Sequence, residues 1–433
     1  MRKINAVLRV SLCALVIGLV ACGGSSTGTS SAVTTTGSTT STAVLEPSTT
    51  ATAISIAVSG NHLVDGSGNA IQLRGVNVSA LEGVPWNSDP WRGEAPDFAA
   101  MKAWGINVLR LPLSEANWLG LCGSTISAGV TPAIYKSTIE TAVTQANAAG
   151  IYVILDLHWI AVPNTCPQGQ NPMADTSYSA TFWGQVAAAF KSNPAVLFEL
   201  FNEPQGNYPP TAADWTNYLS GGLTGAEDVG TQTLLNAVRA AGATNVVLVD
   251  GLDYAATLGF NPAGAYNGSL GSTETTGIIL PTDTVSPAQI AAVQHYYTGS
   301  QFENGANAVL AKNVPILVTE YGDDTNATGD SDTTSLYGWA DPGGRAAQYL
   351  TAHGQNGASF AGVSYIAWTW DWGGGWYGGQ GYNNWSLIQD ANGTLFSPSA
   401  YSALGNSSTT PTAYATEVHS HYLCREAGTT NCP

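Results

Sequence analysis

Two glutamates stand at the ends of apolar runs. Glu203 follows Leu197-Phe198-Glu199-Leu200-Phe201-Asn202 and precedes Pro204, and Glu320 follows Ile316-Leu317-Val318-Thr319 and precedes Tyr321-Gly322. Such runs read as buried strands, and a glutamate where a strand leaves its sheet is a carboxyl group delivered to a rim. Two carboxyls delivered this way suit cleavage of a glycosidic bond. One protonates the departing oxygen and the other meets the positive charge that develops on the sugar. Other apolar runs also end on polar or aromatic groups: Arg110, His158-Trp159, Asn202, His295-Tyr296-Tyr297, and Trp368 on the way to Trp370-Asp371-Trp372. Neighbouring strand residues point oppositely, so Tyr297 is expected to face the site while Tyr296 packs behind it.

The elements needed to position these groups are visible as alternation. Strand-like runs at 71–77, 107–113, 152–159, 196–202, 246–250, 290–295, 316–320 and 362–370 are separated by helical patterns at 96–104, 132–149, 179–191, 230–241 and 343–353. Eight strands with intervening helices predict an α/β fold, the (β/α)8 TIM barrel, whose reactive groups gather at the C-terminal strand ends. A doubly wound open sheet is the alternative. It usually carries a glycine-rich phosphate turn after its first strand, and here that turn reads Arg74-Gly75-Val76-Asn77. Residues 60–71 read as a hairpin turning at Asp65-Gly66-Ser67-Gly68-Asn69 and capping the barrel bottom. The long connection 254–287 is expected to build part of a cleft wall, and Glu199 is expected inside the barrel.

Composition fits this reading. Of 433 residues, 44% are hydrophobic, enough for a large core, while 10% are charged and the formal net charge is −17. That balance argues against nucleic acid or anionic lipid as an electrostatic partner and suits a neutral polymer. Thirteen Trp and eighteen Tyr supply flat rings for stacking on sugars. Trp86, Trp91, Trp118, Trp159, Trp370, Trp372, Trp376 and Tyr377 are candidate platforms.

Residues 1–22 carry Arg2, Lys3 and Arg9 before an apolar run, the pattern of an export signal. Its end, Leu19-Val20-Ala21-Cys22-Gly23, resembles the lipobox of bacterial lipoproteins, which implies cleavage before Cys22, lipidation of its sulfur and an exported, surface-anchored protein. Residues 23–53 are rich in Ser, Thr and Gly and read as a flexible tether, leaving 54–433 as the folded unit with a C-terminal tail. Cys122, Cys166, Cys424 and Cys432 allow three disulfide connectivities, of which Cys122–Cys166 and Cys424–Cys432 is preferred. The acidic residues Asp323, Asp324, Asp330 and Asp332 lack EF-hand spacing and read as a solvated loop. No role is assigned to His419 or His421.

Over most of residues 56–400 the sequence resembles glycoside hydrolase family 5, with Asn202-Glu203-Pro204 its most specific element. The resemblance implies that Glu203 is the general acid/base and Glu320 the nucleophile of a retaining mechanism. It further implies that Arg110 orients the nucleophile, that Asn202 binds the sugar 2-hydroxyl, and that Trp368 forms a sugar platform. His158, His295 and Tyr297 match the remaining positions of the family's site. No cofactor or metal is expected. The reading is an endo-β-1,4-glucanase acting on β-glucan polysaccharide or oligosaccharide, as a monomer, touching the membrane only through its lipid. β-Mannan, xyloglucan or β-1,3-glucan specificity on the same scaffold is the nearest alternative. A catalytically idle carbohydrate-binding barrel and a metal-requiring hydrolase are the others.

Overall fold

Runs rich in Val, Leu and Ile favour pleated, buried strands, because branched side chains pack well on a sheet covered on both faces. In the computed structural model these runs form the wall of a barrel. It describes residues 54–83, 89–91, 95–121, 130–162, 165–207, 210–260, 276–277, 279–297, 303–322, 332–371, 386–396, 410–429 and 432.

A small antiparallel sheet comes first: β1 (Ile56–Ser59), β2 (His62–Asp65) and β3 (Ala70–Ile71). The barrel strands then follow as β4 (Arg74–Asn77), β5 (Val108–Ser114), β6 (Tyr152–Val162) and β8 (Val196–Glu199), with β7 (Thr165–Gly169) inserted after β6. Beyond them come β9 (Val247–Asp250), the short pair β10 (Gly259–Phe260) and β11 (Thr276–Gly277), and then β12 (Ile290–Tyr296), β13 (Ile316–Tyr321) and β14 (Ser364–Ala367). The order β5-β4-β14-β13-β12-β9-β8-β6, with β5 also paired to β6, closes eight parallel strands on themselves. This closure excludes the open doubly wound sheet. Closure between β4 and β5 is tight: a Cβ on Gly75 would stand 2.0 Å from the Val108 carbonyl oxygen, so only glycine fits there.

Helices cover the outside. After β4 lies α1 (Phe98–Ala103), and after β5 come α2 (Glu115–Leu119) and α3 (Pro132–Ala148). Next are α4 (Ser179–Phe190), α5 (Ala212–Ser220), α6 (Thr231–Ala240), α7 (Glu303–Leu310), α8 (Asp332–Ala340) and α9 (Arg345–Ala352). The last helix is α10 (Thr410–Glu426). Local signals set their ends. Asp97 accepts from the N–H groups of Ala99 and Ala100 to start α1, and Thr131 with Pro132 starts α3.

Three expectations need correction. The run 71–77 is split: Ile71 pairs antiparallel with Leu63 in the small sheet, and only β4 enters the barrel. The third strand extends past the rim to Val162 and pairs antiparallel with β7. Most of the segment read as a tail is α10, which buries Tyr414, Val418, His421 and Tyr422 at helical spacing. Tyr422 donates to the Gly75 carbonyl at 2.7 Å, and His421 lies 3.2 Å from Asp341 and stacks on Tyr337. Cys424 and Cys432 are bonded to each other beside it. Cys122 lies outside the described residues, so the preferred Cys122–Cys166 pair does too. Residues 261–275 and 278 of the fifth connection also lie outside them; its described part carries no helix.

The lower barrel interior is an apolar plug. Leu73, Val108, Ile154, Leu197, Leu248, Val293, Leu317 and Ile366 point inward, and Ile56 and Leu63 of the small sheet pack onto them. The plug leaves only the C-terminal half of the interior for polar groups.

Candidate active site

Above that plug the inward positions change from apolar to charged, and Arg110 stands at their centre. It comes from β5 and is fully buried. Its Nε and Nη2 donate to the two oxygens of Glu199, each at 2.9 Å, so the guanidinium fork meets the carboxylate in parallel. Nη1 donates to Glu320 Oε1 at 2.6 Å and to Asn77 Oδ1 at 2.9 Å. Nη2 also donates to Asn202 Oδ1 at 2.8 Å and lies 2.9 Å from Asp156 Oδ2. One cation thus ties together five strands' ends. Most of its fork goes to Glu199, which the sequence placed inside the barrel without a partner.

Glu320, the last residue but one of β13, has both oxygens held. Tyr297 donates to Oε2 at 3.0 Å, while Tyr296, its neighbour, turns away to stack on Trp339 and donate to Glu303. Glu203 lies just past β8 with φ of 51°, a left-handed conformation that costs a residue bearing a Cβ about 1 kcal/mol or more. Its backbone N–H donates to Asp250 Oδ2 at 3.1 Å, which holds that conformation in place. The side chain accepts from Gln170 Nε2 at Oε2 and meets His295 Nδ1 at 2.9 Å through Oε1.

Burial dominates the protonation of this cluster. It pushes the Glu203 carboxyl above the ordinary carboxylate range, against opposing pulls from His158, Gln170 and Arg110. It also drives His158 and His295 down to about 4, leaving both rings neutral at ordinary pH. Asp156 is pushed up to about 7, burial outweighing Arg110, and Asp250 is pushed well up by burial and by the nearby charge of Glu199. A neutral His158 donates from Nδ1 to Asp156 Oδ2 at 2.7 Å, which leaves Nε2 as an acceptor. Its ring stacks on Trp368 at 5.8 Å with 10° between planes. The Asn202 amide Nδ2 is buried and finds no partner among the described residues, so it remains an unspent donor next to Glu203 in the chain.

Two groups have metal-ligating atoms within 4.8 Å of one another: Glu203, His295 and Glu320, and Glu199, Asp250 and His295. Most of these atoms already hold hydrogen bonds, although Asp250 Oδ1 has no partner among the described residues. Glu199 accepts from Arg110 and Thr319, and both nitrogens of His295 have hydrogen-bonding partners. A cation would have to break that network.

The structure therefore brings together Arg110, His158, Asn202, Glu203, His295, Tyr297, Glu320 and Trp368. Trp159 is half-buried on the overhanging end of β6. Trp372 and Trp376 lie outside the described residues, as do Trp86 and Tyr377. Two suggested sugar platforms are core instead. Trp118 packs edge-on to Phe182, and Trp370 is fully buried against Trp104. Sequence reasoning missed Asn77, Asp156, Gln170, Asp250 and Thr319. Asp156 was findable, because it lies two residues before His158 on one strand and shares its face. Asp250 was findable too, as the polar end of the apolar run 246–249, whereas Gln170 carries no local signal.

The arrangement offers one carboxyl whose burial favours its protonated form and one held by a cation and a phenol. The family model described as cellulase, glycosyl hydrolase family 5, matches residues 64–373. Endoglucanase E-5 of Thermobifida fusca is 27% identical over 277 residues, covering 64% of this chain and 49% of that protein. A mannan endo-1,4-beta-mannosidase of Streptomyces lividans is 25% identical over 327 residues, covering 74% and 67% respectively. The chain spans about half the length of the endoglucanases of Butyrivibrio fibrisolvens and Thermobifida fusca that it matches. Among solved structures, the catalytic domain of the Thermobifida fusca endoglucanase shares the fold with a TM-score of 0.51 at 18% identity, over 85% of this chain and 97% of that one.

Proposed function

The chain belongs to the cellulase family, glycosyl hydrolase family 5, and from that premise we propose an endo-β-1,4-glucanase that cleaves β-glucan with retention of configuration. The observation that carries this reading is the unlike pair of carboxyls at one rim. Glu203 is buried and inclined to keep its proton, while Glu320 is held by Arg110 and Tyr297. One oxygen of each lies within 4.8 Å of the other. That closeness favours direct attack over the roughly 6.5–9.5 Å gap that an inverting enzyme keeps for water.

In the proposed cycle a Glu320 oxygen bonds to the anomeric carbon as the glycosidic C–O bond breaks. The leaving oxygen takes the proton of Glu203. Glu203, now a carboxylate, removes a proton from water, the water oxygen bonds to the anomeric carbon, and Glu320 departs. Asn202 Nδ2 is the free donor available to a sugar hydroxyl in this process. Trp368, stacked on His158, offers a ring face to the sugar.

The substrate is a neutral β-glycan. The relative that acts on mannan makes β-mannan the rival specificity. Export, lipidation at Cys22 and a tether suit work on soluble or cell-proximal chains, as an anchored monomer. The test is hydrolysis of carboxymethyl cellulose, mixed-linkage glucan, xyloglucan, mannan, xylan and β-1,3-glucan by residues 54–433, with Glu203→Gln and Glu320→Gln in parallel. Cleavage of β-1,4-glucan into internal fragments, lost by orders of magnitude in both variants, is the expected result. Cleavage of mannan alone would move the specificity. Binding without cleavage would overturn the enzyme reading.

A further inference from the structure

The hydrogen bonds behind Glu203 have only one consistent direction. Both Glu199 oxygens receive N–H donors from Arg110, so Glu199 can only accept. The Thr319 hydroxyl lies 2.9 Å from Glu199 Oε1 and must spend its single proton there. Thr319 Oγ1 also lies 3.2 Å from His295 Nε2, and with its proton spent it can only accept, so Nε2 must carry the ring proton. In a neutral imidazole this leaves Nδ1 as a bare acceptor. Nδ1 faces Glu203 Oε1 at 2.9 Å, and two acceptors do not share that distance, so the proton between them belongs to Glu203. The other side agrees: Gln170 donates to Oε2, the carbonyl oxygen of a neutral acid protonated on Oε1. Thr319, His295 and Glu199 are all buried, so water does not compete for these bonds.

We propose that Thr319 is a positioning residue: by accepting from Nε2 it fixes the tautomer of His295 and so keeps the reactive proton on Glu203. The chain of dependence runs from Arg110 through Glu199, Thr319 and His295 to the acid. The glycosidic oxygen then competes with Nδ1 for that proton. Without the hydroxyl the ring proton can move to Nδ1, which donates to Glu203 and favours its ionised form. The other charged and titratable groups around this ring are Glu199, Glu320, Asp250, His158 and Arg110, and the hydrogen bond that Nε2 makes is the one to Thr319 Oγ1.

This rests on the retaining-glycosidase reading, and its test separates the two. The tether-free enzyme and its Thr319→Val and Thr319→Ser variants are assayed across pH on the glycan and on the 2,4-dinitrophenyl glycoside of the matching disaccharide. The latter has a leaving group that needs no proton. General acid catalysis contributes about 10²–10⁴-fold. Thr319→Val is therefore expected to lose about tenfold or more on the glycan, with its alkaline limb moved to lower pH and KM little changed. It should stay within about threefold on the aryl glycoside, and Thr319→Ser should restore the glycan rate. Equal losses on both substrates with an unmoved limb, or no rescue by Ser, would overturn the proposal. Should Thr319→Val fail to fold, ¹⁵N shifts of the His295 ring in the unaltered enzyme decide. A protonated Nε2 with a bare Nδ1 supports the proposal, and the reverse tautomer overturns it. If the unaltered enzyme cleaves neither substrate, the glycosidase reading fails while the ring shifts still judge the tautomer.

Discussion

Replacing Arg110 by Met should uncouple the floor of the site from the rest of the barrel. The side chain is fully buried, forks onto Glu199, reaches Glu320 at 2.6 Å and lies 2.9 Å from Asp156. Methionine fills much of the volume but leaves these carboxyls without their cation. Breaking a buried pair by removing one partner costs about 3–5 kcal/mol, which is about 10²–10⁴ in the folding equilibrium. The cost should depend on pH. Asp156 sits at about 7 although Arg110 opposes its burial, so without Arg110 burial acts unopposed and the folded-state value rises further above the unfolded one. A carboxyl raised in the folded state gives its full contribution below its unfolded pKa and loses it as pH rises. Arg110→Met should therefore be penalised more at pH 8 than at pH 5. Urea melts followed by tryptophan fluorescence at both pH values give the two differences. Arg110→Lys separates charge from geometry: it should recover much of the stability, yet one ammonium cannot fork onto Glu199 and still hold Glu320. Its kcat should stay depressed by about tenfold or more, the worth of a charge-assisted hydrogen bond. A stable Arg110→Met within 1 kcal/mol of the parent at both pH values, or an Arg110→Lys with parental kcat, would refute this reasoning; the first threshold is about the smallest difference that two such melts separate.

Two further outcomes follow from single contacts. Glu115, buried on α2 and facing Asp175 and Ser179, is pushed up to about 9 by burial and by Asp175. Its contribution is complete below its unfolded pKa and is lost as pH rises toward 9, so Glu115→Gln should gain stability relative to the parent as melts move from pH 5 to pH 9; a gap constant with pH would contradict this. Tyr297→Phe removes a hydrogen bond to a charged oxygen at 3.0 Å, worth about 1.5–3 kcal/mol. Its kcat should fall about 10–150-fold, with the fold unchanged by circular dichroism, and a loss below about threefold would show that the contact is idle.

The barrel and the rim of its site were legible because both rest on local patterns. Each apolar run had to be a strand, and the polar residue at its end had to reach the rim. What was not legible depends on distant partners. Nothing near Glu199 announces that Arg110, 89 residues earlier, takes both its oxygens. Thr319 reads as one more β-branched strand residue until His295 and Glu199 stand on either side of it. The tail expected after the barrel is largely α10, whose buried face carries His421 and two tyrosines. Their polar atoms are met by distant groups, among them Asp341, Tyr365, Gly75, Tyr321 and Trp368. Trp118 and Trp370 mislead in the opposite sense, since an aromatic beside the site looks the same in sequence whether it lines the cleft or the core.

The central claim is that Glu320 bonds to the sugar while Glu203 handles the proton. The most direct test incubates the enzyme with a 2-fluoro glycoside of the preferred disaccharide bearing a dinitrophenyl leaving group, followed by intact-mass and peptide analysis. One added glycosyl unit, carried by Glu320, is the expected result. A label on Glu203 or elsewhere would contradict it, as would steady turnover of the unfluorinated compound with no label at all.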